Sequence, residues 1–256
     1  MASSAITSIT TTSSRPVLEP MPNWSVILSC EHGGNRVPAA WRGVLQDAVL
    51  LNSHRGWDAG ALNMARHMAR QLGAPLHAAQ ITRLLVDLNR STTHPRLHSE
   101  AVRQLDAAQR QRIVARHYRP FRGAFEEDVH AHIEQGHQVL HISVHSFTPE
   151  LNGEQRNADI GLLYDPSRQA ERALCLRWQA LLKATDPQWR VRRNYPYAGI
   201  EDGHATALRK HFDARHYAGI ELEVNQRFAL EGGHLWKQIK RDLTRSLQSL
   251  LEETAS

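Results

Sequence analysis

Apolar residues recur along this chain in two alternating rhythms. Residues 24–29 (WSVILS) form a short, nearly continuous apolar run, which predicts a buried strand. Leu62, Ala65, Met68, Ala69 and Leu72 instead share one helical face, which predicts a helix from about Asp58 with Gly73 as its stop. The same reading gives paired strands over 76–79 and 84–88. A long helical stretch over roughly 100–135 ends at Gly136 and breaks near Pro120. Further strands fall at 138–144, 159–164 and 217–224, with helices at 168–183 and 235–251. Strands alternating with helices predict an α/β fold: a single domain with a mixed, mostly parallel sheet flanked by helices. In such sheets ligands sit beyond the C-terminal ends of the strands. Several polar clusters of this sequence fall there.

The length of 256 residues suffices for one sizeable core. Residues 1–22, rich in Ser and Thr, read as a polar tail, and 23–256 as one domain. No basic start precedes a long apolar region, and no apolar run reaches membrane-spanning length. A cytoplasmic protein with no membrane partner is expected. The formal net charge of +5 comes from arginines scattered among Asp and Glu rather than from a dense basic run. This argues against nucleic acid and suits a small anionic substrate. Cys30 and Cys175 form neither a metal-type pair nor a disulfide framework. Sixteen histidines are too many for their number alone to identify ligands.

Position is more informative. His32 follows the first strand in Glu31-His32-Gly33-Gly34-Asn35, where two glycines permit a tight turn and close approach to a ligand. It reads either as a hydrogen-bonded turn residue or as a metal ligand. His141, Ser143 and His145 lie on one face of the strand at 138–144 and its extension. His141, deep in the strand, is expected to be a satisfied core histidine, and His145, at its end, a functional one. Asp58, in Gly56-Trp57-Asp58-Ala59-Gly60, is either a helix cap or a ligand. A catalytic zinc with two histidines needs a third protein ligand, and Asp58 and Glu31 are the available carboxylates. Asn89-Arg90 offers an amide and a planar guanidinium that together bind a carboxylate. The alternative there is a structural arginine pairing with Asp87 or another acid. Glu221, Glu223 and Asn225 share a face of the last strand. That face is either a solvated edge or the seat of a general base, Glu223.

Six segments, SCEHGGNRVP (29–38), GWDAGAL (56–62), RLLVDLNR (83–90), HISVHSF (141–147), NADIGLLYD (157–165) and IELEVNQ (220–226), resemble the N-formylglutamate amidohydrolase family in content and order. The resemblance implies a fold similar to the zinc carboxypeptidases and one zinc ion per chain. It implies His32, His145 and Asp58 as metal ligands, Asn89 and Arg90 as a substrate-carboxylate clamp, and Glu223 as catalytic base. Arg83 then assists the oxyanion. Family members often carry Pro where this chain has Glu31, which keeps Glu31 as an alternative ligand. The implied reaction is hydrolysis of an N-formyl amino acid, foremost N-formyl-L-glutamate, by a monomer or small homo-oligomer. Another N-acyl amino acid or small peptide is the alternative substrate, and an amino-acid-binding module without turnover the alternative class. Residues 194–213 are expected to form a loop over the site that sets specificity.

Overall fold

The first apolar run becomes strand β1 (Trp24–Cys30), and the helical face after it becomes α2 (Ala61–Leu72), with a short α1 (Ala48–Asn52) between them. In this computed structural model residues 24–255 are described, so the tail expected over 1–22 lies outside the described residues. Gly73 ends α2 in the left-handed region at φ 63°, its N–H donating to the Ala69 carbonyl. The chain continues through β2 (Leu76–Ala78), α3 (Glu100–Arg103), α4 (Ala107–Ile113), α5 (Arg119–Glu134) and β3 (Gln138–Phe147). A two-stranded hairpin, β4 (Glu150–Leu151) and β5 (Glu154–Gln155), leads to β6 (Ile160–Leu163) and α6 (Gln169–Thr185). Then follow β7 (Val191–Arg193), α7 (His204–His211), β8 (Tyr217–Asn225), α8 (Gln226–Glu231) and α9 (Gly233–Ala255).

Six strands form one sheet in the order β2-β1-β3-β8-β6-β7. β2, β1, β3 and β8 run parallel, β6 is antiparallel to β8, and β7 is parallel to β6. The expected α/β fold with a mixed, mostly parallel sheet is therefore present. Alternation divides each strand between two faces. Val26, Leu28 and Cys30, with Leu140, Ile142, Val144, Ile220, Leu222 and Val224, pack under α2, α6 and α9. The other face is apolar at its start, where Ile27, Val139 and Tyr217 meet Phe125 and Val129 of α5 and Leu208 of α7. Further along the same strands it turns polar, through Ser29, His141, Ser143, His145, Glu221 and Glu223. Among the described residues, no helix is long and apolar enough to cross a membrane.

Three expectations change. Residues 84–88 are not a strand. Thr82 takes hydrogen bonds from Leu84 N on its hydroxyl and from Leu85 N on its carbonyl, and Asp87 Oδ1 accepts from Asn89 N. These side-chain bonds hold the segment in turns, and its apolar residues fill a separate cluster with Leu97, Val102, Ile113 and Tyr118. The long helical stretch breaks not at Pro120 but before α4, where Asp106 and Gln109 form a capping box. The helix runs through Pro120, which follows directly on a π-helical turn at Val114–Tyr118 that widens the backbone ahead of it. Finally, the loop expected over 194–213 contains the 8-residue helix α7.

Gly161 shows how tightly the sheet is seated beside the polar end. It lies opposite Glu223 in the β6–β8 ladder. A Cβ there would stand 2.1 Å from the Tyr195 carbonyl oxygen and 3.2 Å from Glu223 Cβ. Gly161→Ala is expected to lower stability by about 1–3 kcal/mol through overpacking. Urea denaturation measures this, and an unchanged midpoint would mean that the segment at Tyr195 yields freely.

Candidate active site

Three side chains converge at the C-terminal ends of β1 and β3. His32 stands just past β1 and His145 near the end of β3. Asp58 is brought to them because its N–H donates to the His32 carbonyl at 2.9 Å, stitching the approach to α2 onto the exit of β1. Its Oδ2 lies 3.3 Å from His32 Nδ1 and 2.9 Å from His145 Nδ1. One ligand atom from each of the three residues fits within a 4.8 Å spread, and all three residues are buried. Two imidazole nitrogens and a carboxylate oxygen in that spread can hold a metal ion. Asp58 does not cap α2: Gly60 occupies the N-cap position, with no side-chain hydrogen bond.

The far side of each ring is also held. His32 Nε2 lies 2.7 Å from Asp87 Oδ1, a carboxylate–histidine pairing of the kind that orients metal ligands. His145 Nε2 lies 2.8 Å from Ser143 Oγ and 3.3 Å from Glu31 Oε2. Glu31 Oε1 in turn meets His204 Nδ1 at 2.7 Å, and Glu31 Oε2 accepts from Ser143 Oγ at 2.8 Å. Both Glu31 oxygens are thus spent behind His145. The carboxylate beside the two Nδ1 atoms is that of Asp58. Glu31 groups instead with His141 and His204. His141 is the satisfied core histidine expected of it, with Ser29 Oγ and Tyr217 Oη each at 2.7 Å from a ring nitrogen.

Burial and pairing pull against each other throughout this cluster. Burial works against ionising Asp58, yet the nearby His32 and Arg83 and the hydrogen bond from His145 hold it well below the usual carboxylate range. Burial likewise opposes a charge on His145, and the bonds to Asp58 and Glu31 overcome it, raising the ring well above an ordinary histidine. Glu223, the register partner of His145 across β3 and β8, is different. Its Oε2 is buried with no hydrogen-bond partner among the described residues. Burial pushes it up to about 8; His145 counters this, and Asp58 and Glu221 reinforce it. The solvated-edge alternative for this strand is excluded, since β8 is interior and all nine of its residues are buried.

These groups line one cavity of about 600 Å³. Arg83 closes part of its wall, donating from Nη2 and Nε to Asp87 Oδ2 at 2.7 and 3.2 Å, with Nη1 3.4 Å from Asp58 Oδ1. The structural pairing weighed for the segment 83–90 is therefore made by Arg83. Asn89 is engaged at both ends of its amide: Oδ1 accepts from His204 N at 2.6 Å, and Nδ2 donates to Glu221 Oε2 at 3.4 Å. Arg90 gives Nη1 to the Asp202 carbonyl and lines the cavity without an acidic partner among the described residues. Of the expected clamp, Arg90 is thus the member with a free edge.

The N-formylglutamate amidohydrolase family model matches residues 24–230. The chain belongs to that family. Its fold is shared by two solved structures. One is gene product Atu2144 from Agrobacterium tumefaciens, with 27% identity, TM-score 0.78 and coverage of 92% of this chain and 93% of that one. The other is N-formylglutamate amidohydrolase from Ralstonia eutropha JMP134, with 20% identity, TM-score 0.70 and coverage of 92% and 96% respectively. A search of curated protein sequences finds no match.

As a member of this amidohydrolase family the chain is an enzyme that hydrolyses an amide bond. Within its site, sequence reasoning passed over Asp87, His204 and Ser143 as supports of the cluster. Asp87 is visible in the sequence only as an acid for a structural arginine, whereas it holds His32 as well as Arg83. His204 lies in the segment read as a loop, 173 positions from the Glu31 it contacts. Nothing local in the sequence announces that meeting.

Proposed function

We propose that this amidohydrolase is zinc-dependent and cleaves N-formyl-L-glutamate to formate and L-glutamate. The observation that carries the reading is the convergence, in one cavity, of His32 Nδ1, Asp58 Oδ2 and His145 Nδ1 with the unpartnered Oε2 of Glu223. The donor set fits zinc: two imidazoles and one carboxylate, each imidazole oriented from behind, suit a catalytic zinc that keeps a position open. A bound zinc supplies Lewis acidity and a water that ionises near neutral pH.

The protein's own groups supply the rest. Arg90 grips the amino-acid carboxylate by its free edge and sets the formyl carbon over the three-ligand cluster. Glu223 Oε2 takes the proton of the attacking water, whose oxygen bonds to the formyl carbon. It then delivers that proton to the amide nitrogen as the C–N bond breaks. Arg83 Nη1, whose contact with Asp58 is long, offers a donor to the oxygen that gains charge.

The test is the zinc-loaded enzyme against N-formylglutamate, N-formylglutamine, N-acetylglutamate and a dipeptide. N-formylglutamate is expected to give the highest kcat/KM. A faster N-acetyl substrate or dipeptide would overturn the deformylase reading while leaving the hydrolase. Tight glutamate binding with no turnover of any substrate would make the chain a binding module.

A further inference from the structure

Arginines are unevenly occupied around the cavity. Arg83 is neutralised by Asp87 and Asp58. Arg55, Arg96 and Arg103 line it from exposed positions, where water screens them. Arg90 and Arg156 are half-buried, face the cavity and have no acidic partner among the described residues. Arg156 lies between the small hairpin and β6. Its guanidinium carbon is 5.0 Å from the Tyr197 ring centroid and 5.9 Å from that of Phe147, and its Nη1 is 3.4 Å from Thr148 Oγ1. Aromatic faces hold a guanidinium in plane, and the N–H groups not engaged by Thr148 and Tyr197 remain for an anion. Tyr197 lines the same cavity as Glu223 and Asp58, and its hydroxyl also accepts a hydrogen bond from Arg156.

We propose that Arg156, braced by Tyr197 and Phe147, binds the side-chain carboxylate of the substrate and so makes the enzyme select N-acyl dicarboxylic amino acids. The inference rests on the deformylase reading and deepens it. Arg90 takes one carboxylate and Arg156 the other. A substrate with a neutral side chain leaves a half-buried cation without a counter-charge, and that penalty is the source of selectivity. The hydroxyl of Thr148 keeps one guanidinium nitrogen turned along the wall. Arg156 is a specificity residue: it takes no part in bond making or proton transfer.

The experiment compares N-formylglutamate with N-formylglutamine, which differ only in side-chain charge. The ratio of their kcat/KM values is expected to fall about 10- to 100-fold in Arg156→Met, the range for losing a hydrogen bond to a charged group. Arg156→Lys should recover part of it. Arg90→Met should lower both substrates together and preserve the ratio. An unchanged ratio in Arg156→Met overturns the proposal and leaves Arg156 a cation–π brace. Should the wild-type enzyme turn over no formyl amino acid, the deformylase reading fails separately. Calorimetry with glutarate and butyrate then decides the Arg156 question without turnover. A glutarate-selective loss of affinity in Arg156→Met sustains the assignment, and equal binding to wild type and variant removes it.

Discussion

Glu223→Gln is expected to lower kcat by about 10²- to 10⁴-fold, the usual share of a positioned general base. That corresponds to roughly 3–5 kcal/mol of barrier. Glutamine keeps the shape of the side chain but cannot accept the proton of the attacking water. The fold loses little by the exchange, because Oε2 makes no hydrogen bond among the described residues. The variant should therefore melt near the wild-type temperature and bind metal and substrate with a similar KM, so that the loss falls on kcat. Burial, which pushes this carboxyl up to about 8, also makes it a stronger base than an exposed glutamate, and a divalent cation beside it lowers that value toward the working pH. Unchanged turnover would move the base elsewhere. Glu221, on the same strand face and in the same cavity, would be next in line.

The second large effect is the removal of metal. Dialysis against a chelator is expected to abolish amide hydrolysis, and zinc, but not magnesium or calcium, to restore it. The hard cations prefer all-oxygen shells, whereas this cluster presents two imidazole nitrogens for each carboxylate oxygen. His145→Ala should resist rescue by zinc at any moderate concentration. Thermal denaturation gives an independent readout. Zinc at about a thousandfold excess over its Kd should add roughly 4 kcal/mol to the wild-type protein and nothing comparable to His145→Ala. Full activity after exhaustive chelation, or equal rescue by magnesium, would remove zinc from the mechanism.

What was legible in the sequence follows from what local pattern encodes. Strand alternation put His141, Ser143 and His145 on one face and Glu221 with Glu223 on another, and both faces prove to be the same side of one sheet. Strand ends next to glycines marked His32. The supports were not legible, because each is made by contact between distant segments. Asp87 reaches His32 only because residues 84–88 turn rather than extend, and a short apolar run does not by itself separate those outcomes. Asn89 has the composition of a ligand-binding residue, yet its amide ties α7 to β8. Arg156 carried no motif at all; the two aromatic rings that brace it come from the end of β3 and from the segment before α7.

His145 and Glu223 are register partners in adjacent parallel strands, with His32 two residues past β1, the neighbour on the other side of β3. The placement of His145 against Glu223 is therefore set by a backbone ladder, in which a one-residue slip would turn every side chain to the opposite face, and His32 is tied just beyond β1 by the Asp58 N–H on its carbonyl. Arg90, Arg156 and Tyr197 hang from connections that no ladder holds. The molecule thus separates two timescales of change in descent. The His145–Glu223 pair can drift only if a whole sheet is re-threaded, while the groups that choose the substrate can be exchanged one connection at a time. A lineage built on this frame would diversify in what it accepts long before it altered what it does to it.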